Sequence, residues 1–331
     1  MKNVTVYTAF AWILLVLGGI ISLVFLILTY LSDINIEKNF DFERTGQFGD
    51  YIGGVVGTIF ALAGTVLVYA SFVGQQRRNT RESFELTYFE MLKVHEEIVK
   101  ELRYRGKESR DIFPDVIDYL RSLYNQVFSH LNDIKQKAQS HKIHDPHVAD
   151  EVLYKFLDSI DLPYMATVLS VGYLYYGSDK YYLTSKSEEP LRVINEKVKE
   201  NINSDAILPL DNVLGHYYRQ MFHIVKYVAN TEWLKEEQKY EYIKMLRAQL
   251  SDYEQMMLFY NSISVNGNKW RLPDDEANIP QMGYISRFRL IKNIPFHYDY
   301  FGNHPNNYFE AAIKAWKEKG KPFFENEMYT I

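Results

Sequence analysis

Residues Ala9–Leu31 read AFAWILLVLGGIISLVFLILTYL, and residues Tyr51–Gly74 read YIGGVVGTIFALAGTVLVYASFVG. No charged side chain occurs from Asn3 to Ser32 or from Tyr51 to Gln76. Each window exceeds the roughly 20 apolar residues with which a helix crosses about 30 Å of hydrocarbon. Lipid offers no water to backbone N–H and C=O groups, so a spanning segment must be a helix or part of a closed barrel. These stretches predict two transmembrane helices, over residues 8–31 and 51–74, joined by a short outside loop, 32–50. A cleavable signal peptide fits poorly. The apolar run is longer than the roughly 7–15 residues of a signal core, and no small-residue cleavage site follows it. The soluble alternative is a buried helical hairpin.

The flanks orient the pair. Lys2 precedes the first span, and Arg77, Arg78 and Arg81 follow the second, while the intervening loop carries Asp33, Glu37, Asp41, Glu43 and Asp50 against Lys38 and Arg44. Lys and Arg gather on the cytoplasmic side. Both termini are therefore expected in the cytoplasm, with residues 75–331 forming a cytosolic domain and the loop a passive connector outside. Gly53 and Gly57 form a GxxxG that Ala61 extends, a spacing that lets two helix backbones approach closely, either with the region of Gly18 and Gly19 or between protomers.

The chain has 331 residues, a net charge of −5 and no cysteine. The missing thiols exclude disulfides, thiolate catalysis and Cys-type zinc sites. The slight acidity after residue 74 gives no reason to expect a broad nucleic-acid-binding surface.

Past the second span, Gln75–Arg105 contains neither glycine nor proline. Phe84, Tyr88, Met91, His95, Ile98 and Leu102 recur there at spacings of four and three, a seam that packs helix on helix. The second span is thus expected to run straight on, to an end near Gly106. His95, on the seam, is expected to hydrogen-bond a neighbour. Helical patterns follow over Asp111–Gln139, Val148–Tyr176 (with an interruption at Pro163), Glu189–Ile202, Leu210–Ala229, Lys235–Ile263, Met282–Asn293 and Asn307–Lys319. The segments SHKIHDPH and GSDKYYLTSKSEEP read as loops. No alternating pattern argues for a substantial sheet, so the expected class is all-α.

Chemistry concentrates in Leu214–Val228, LGHYYRQMFHIVKYV, where His216, Arg219, His223 and Lys226 share one helical face. The next helix carries a polar stripe of Arg247, Ser251, Glu254 and Asn261. Two roles are open. In one, Arg219 or Arg247 pairs with Glu254, the histidines satisfy neighbouring oxygens, and the network sets helix register. In the other, His216 or His223 is a general acid/base and Arg219 stabilises a phosphate-like transition state. His141, His144, His147, Asp145 and Asp150 sit in a polar linker whose spacing does not define a metal geometry, and it reads as a solvated loop. No Walker-type loop, dinucleotide fingerprint, nucleophile elbow or zincin motif occurs, so neither a cofactor nor a metal is expected.

Four stretches carry a family resemblance. FELTYFEMLKVHEEIV (84–99), the segment LGHYYRQMFHIVKYV and YIKMLRAQLSDYEQMMLFYN (242–261) are similar to the blocks of the AbiC-type phage abortive infection family, and GYISRFRLIKNIPF (283–296) resembles its closing block. The matching positions are His95, Gly215, Tyr217, Arg219, Arg247, Gln249, Ser251, Glu254 and Asn261, with Tyr218 where the family often has phenylalanine. The resemblance implies an anti-phage defence protein anchored in the bacterial cell membrane. The uninterrupted run from the second span into the seam then leads to the expected mechanism, in which the helical domain senses infection, with a phage component as trigger, and arrests growth through the membrane as a homo-oligomer. The resemblance implies no catalytic residue. An alternative is a HEPN-like ribonuclease or nucleotide-acting toxin, although only Gln220, Met221 and Phe222 separate Arg219 from His223, closer than that signature places them. A non-enzymatic scaffold for another defence component is the third reading.

Overall fold

The structure is a computed structural model that describes residues 2–31, 42–142, 161–176, 189–202, 209–264, 267–271, 282–295, 300–301 and 304–325. The linker histidines beyond Lys142, the stretch 148–160 and the loop over 177–188 lie outside the described residues. Helices make up nearly all of the described structure, and the strands are one two-residue pair. The all-α class follows. The chain divides into two compact units, Met1–Thr87 and Tyr88–Ile331.

The first unit is an antiparallel helical hairpin. Helix α1, Lys2–Leu31, faces a second run made of α2 (Phe42–Tyr51), a π-helical turn (Ile52–Val56) and α3 (Gly57–Glu101). The acidic connector expected over 32–50 is therefore helical from Phe42 onward. Tyr7 meets Tyr69 edge-on at 5.2 Å and Phe25 stacks on Tyr51 at 4.7 Å, so the numbering runs in opposite directions along the pair. The closest approach is at Gly18, where an added methyl group would sit 3.2 Å from the Phe60 ring and 3.3 Å from Ile59. Ala11, Ala63 and Ala70 are buried along the same contact. Hydroxyls along these helices bond the carbonyl four residues back, as Ser22 does to Gly18 at 2.8 Å and Thr65 to Ala61 at 2.9 Å. That pairing satisfies a polar group without water. Two helices here are long and apolar enough to cross a membrane.

Helix α3 runs without interruption to Glu101, and Phe84, Tyr88, Leu92, His95, Ile98, Val99 and Leu102 are buried along one side. Most of the expected seam is thus realised, with Leu92 rather than Met91 as its fully covered member. The helix ends before Gly106. Arg105 (φ 47) and Gly106 (φ 79) form a left-handed turn between β1 (Arg103–Tyr104) and β2 (Lys107–Glu108).

In the second unit α4 (Ile112–Lys142) lies along α5 (Leu162–Tyr176), with α6 (Glu189–Lys199) beside them. Ile112, Phe113, Val116, Ile117, Leu120, Leu123 and Val127 fill the buried side of α4. Pro163 stands in the first turn of α5, where a missing N–H is harmless, and the Tyr164 N–H is capped by Asp161 at 3.1 Å. Helices α7 (Asp211–Ala229), α8 (Glu236–Arg247) and α9 (Asp252–Ile263) follow.

The single helix expected over Lys235–Ile263 is broken between α8 and α9. Ser251 is extended (φ −66, ψ 164) and accepts from the Glu254 N–H at 3.2 Å, while the Glu254 carboxylate accepts from the Ser251 N–H at 2.7 Å. This Ser-x-x-Glu capping box starts a new helix. From Glu254 to Ile263 every residue of α9 is buried, so α9 is a central helix enclosed on all sides, not one with a solvent-facing polar stripe. Each large apolar side chain so enclosed contributes about 1.5–3 kcal/mol.

The C-terminal region also departs from its pattern. The helix expected over Met282–Asn293 is only α10, Tyr284–Phe288, stopped by Arg289 in the left-handed conformation (φ 51). The helix expected over Asn307–Lys319 is two pieces, α11 (Pro305–Tyr308) and α12 (Glu310–Glu318). Gly267 is required by space, since a methyl group there would lie 1.9 Å from the Asn261 carbonyl oxygen.

Candidate functional site

The residues singled out from the sequence fall into three separate places. On α7, His216, Arg219 and His223 are exposed and share the outer face, and the Arg219 guanidinium folds back over Gly215. No hydrogen bond or ion pair engages these three side chains among the described residues. His223 borders an open groove of about 600 Å³ between α7 and α3, which Gln220, Lys226, Tyr227, Asn230 and Met91 also line. Gln220 holds the two helices together by donating to the Met91 carbonyl at 3.2 Å. The groove offers hydrogen-bonding side chains and two basic groups, and no carboxylate lines it among the described residues.

The second place is the buried end of α9. Glu254 is fully buried, and its carboxylate accepts from Arg110 Nε at 3.1 Å and Tyr217 Oη at 3.2 Å besides the Ser251 N–H. Its ionic partner is therefore Arg110, from the turn ahead of α4, and neither Arg219 nor Arg247. Arg110 also donates to the Gln249 carbonyl at 3.0 Å, closing the break between α8 and α9. His95 lies against the Tyr217 ring at 4.9 Å. The hydrogen bond expected of His95 is not found among the described residues: neither ring nitrogen has a partner there although the side chain is 1 % exposed. Burial, assisted by the charge of Arg110, lowers its pKa to about 4. This imidazole is neutral across the physiological range. Asn261, at the other end of α9, uses its carbonyl to accept from Ser264 Oγ at 2.7 Å, which ends the helix.

The third place is the end of α8. Arg247, buried at 6 % exposure, donates to the carbonyls of Arg289 at 3.0 Å and Phe288 at 3.4 Å and reaches Tyr240 Oη at 3.5 Å. Arg289, 7 % exposed, donates through Nε to Tyr240 Oη at 2.9 Å, through Nη2 to the same oxygen, and through Nη1 to the Pro322 carbonyl. Its guanidinium also lies 4.6 Å from the centre of the Trp316 ring, a stacked cation–π contact. Sequence patterns put Arg247 on a shared stripe with Glu254, but the helix break turns the two into different surroundings.

Sequence reasoning did not single out Arg110, Tyr240 or Arg289. The Ser-x-x-Glu spacing was the one available signal, because it announces the cap that reorients Glu254. Among the described residues no group of three or more His, Cys, Asp or Glu side chains could hold a metal ion.

No curated protein and no solved structure matches the chain. Residues 210–298, which hold α7 to α10 with Tyr217, Tyr240, Arg247, Glu254 and Arg289, match the family model described as "Putative phage abortive infection protein", and that match supports a general role in defence against phage.

Proposed function

We propose that the chain is a two-pass, membrane-anchored abortive-infection protein of the bacterial cell membrane, with both termini and the helical unit Tyr88–Ile331 in the cytoplasm. The observation that carries the anchor is the outward surface of the first unit. Its helices meet through small side chains and leave Trp12 at 66 %, Ile13 at 62 %, Val68 at 71 % and Phe72 at 61 % exposure. Water disfavours a continuous apolar surface of this kind, and hydrocarbon suits it. Arg77, Arg78 and Arg81 then sit where the cytoplasmic side is expected. In this reading the helical unit senses a phage component and arrests growth through the membrane. Assembly with further copies uses Gly53, Gly57 and Ala61, where a methyl group added at Gly53 meets no atom within 4 Å.

The test is a phage challenge of cells expressing the full chain or the fragment 75–331. Full protection by the fragment would rule out a membrane-based output. Recovery of the full-length chain in the supernatant after detergent-free ultracentrifugation would remove the anchor.

The groove beside α7 favours a second reading, in which His223 and Lys226, with His216 and Arg219 farther along the same face, act on a phosphate-bearing substrate. His223→Ala or Arg219→Ala would then abolish protection at unchanged abundance. Retained protection in both variants would dismiss this reading.

A further inference from the structure

We infer that the cytoplasmic end of the helical hairpin binds the phosphodiester headgroup of an anionic phospholipid, held by Arg77 and Arg78 beside the start of α1. The inference rests on the membrane reading above and adds the class of lipid that this end selects.

Depth is the first ground. Tyr7 and Tyr69 meet edge-on near one end of the hairpin, and Phe25 and Tyr51 stack near the other. Along each helix about 18 residues separate the two ring pairs, roughly 27 Å at about 1.5 Å per residue and close to the thickness of the hydrocarbon core. Tyrosine rings favour the boundary between hydrocarbon and headgroups. Gly74 lies five residues beyond Tyr69 and so about 7 Å farther out, within the headgroup layer. The Arg78 side chain turns back to that level, with Nη1 3.8 Å from where a methyl group on Gly74 would sit. Side chains on a helix lean toward its N-terminus, which for α3 is toward the bilayer.

The second ground is placement. Ala63 and Ala70 are buried against α1, and Arg77 follows Ala70 by seven positions, on the same side of α3. The register set by the two ring pairs puts Lys2, where α1 begins, level with Gly74. Arg77 therefore stands just past the first turn of α1. Backbone N–H groups in a first turn have no acceptor within the helix, and the helix dipole there is positive.

Charge supplies the third ground. Every residue of α3 from Gln75 to Ser83 is exposed. No hydrogen bond or ion pair engages Arg77 or Arg78 among the described residues, whereas Arg81 is held by Glu85 at 2.8 Å. The first carboxylate along α3 is Glu82, a turn farther from the bilayer. Two uncompensated guanidiniums at headgroup depth suit a phosphate oxygen pair, which guanidinium meets with parallel N–H groups. A zwitterionic lipid carries its own cation next to the phosphate, so net charge sets the preference.

The experiment is native mass spectrometry of the full-length chain released from detergent micelles that hold equal amounts of phosphatidylglycerol and phosphatidylcholine. The expected result is retention of phosphatidylglycerol over phosphatidylcholine by at least about fivefold, the worth of one arginine at a charged membrane surface. Inorganic phosphate at the same concentration should not displace it. In Arg77→Gln/Arg78→Gln, which alters exposed positions and leaves the contact with α1 intact, the two lipids should be retained alike. Equal retention of both lipids by the wild type would overturn the proposal and leave the anchor standing. An undiminished preference in the double variant would overturn it by locating the site elsewhere, and displacement by phosphate would do so by making the ligand a free ion. Retention of neither lipid would remove the membrane reading along with it.

Discussion

Replacing Arg110 by methionine isolates the energetics of the buried centre. Glu254 has no exposed surface and, among the described residues, three donors, of which only Arg110 carries charge. With Arg110 gone, the carboxylate keeps Tyr217 Oη and the Ser251 N–H, two neutral donors. Breaking a buried ion pair ordinarily costs about 3–5 kcal/mol. The Arg110 side chain is 43 % exposed, so water screens part of the attraction, and we expect about 2–3 kcal/mol. Glu254→Gln keeps the shape and loses the charge-assisted bonds, worth about 1.5–3 kcal/mol. The double variant leaves no buried charge, so its destabilisation falls short of the sum by about 1–2 kcal/mol. Thermal unfolding followed by circular dichroism reads this directly, since each kcal/mol shifts Tm by about 2–4 °C in a unit of this size. Arg110→Met therefore lowers Tm by about 4–12 °C. Additive effects of the two single substitutions, or an unchanged Tm in Arg110→Met, would refute the reasoning, because Glu254 would then be solvated or protonated.

Other expectations follow from neighbouring residues. Ser251→Ala removes the cap that starts α9 and lowers stability by about 1 kcal/mol, while Ser251→Asp retains most of it; urea unfolding midpoints compare them. Gly267→Ala drives a methyl group into the Asn261 carbonyl, so the variant should lose soluble expression of its helical unit or melt well below wild type. His95 has a folded pKa of about 4 against an ordinary 6.5, so the unfolded chain takes up its proton first. Stability then declines as pH falls below about 6.5, by roughly 3 kcal/mol once pH reaches about 4. His95→Leu should remove that part of the acid sensitivity in a pH series of melting curves. For Tyr240 the linkage has the same sign, because burial, which alone would raise its pKa, is outweighed by the hydrogen bonds and charges of Arg247 and Arg289. Its lowered folded pKa makes stability rise with pH up to about 10, an increase that Tyr240→Phe should abolish.

Much of the architecture was legible from local pattern. The two charge-free stretches announced long apolar helices, and the spacing of Phe84, Tyr88, His95, Ile98 and Leu102 announced the buried side of α3. Pro163 looked like an interruption and proved to be a helix start, because proline is tolerated only where the chain has no i−4 partner. The break at Ser251 is invisible to apolar periodicity, which continues across it, and only the capping box marks it. Glu254 and Arg247 seemed to share a stripe for the same reason. Once the helix restarts, their side chains point to different partners, Arg110 and Tyr217 for one, Tyr240 and the carbonyls of Phe288 and Arg289 for the other.

Sequence by itself determined the helical class, the two membrane-length apolar helices and the family likeness, because each is carried by residues close together along the chain. Tertiary structure decided which charges meet. Arg110 reaches Glu254 across 144 positions and Arg289 reaches Tyr240 across 49. Side-chain periodicity reports only on neighbours within a turn or two, whereas the pairing of buried charges is set by which elements the fold brings together.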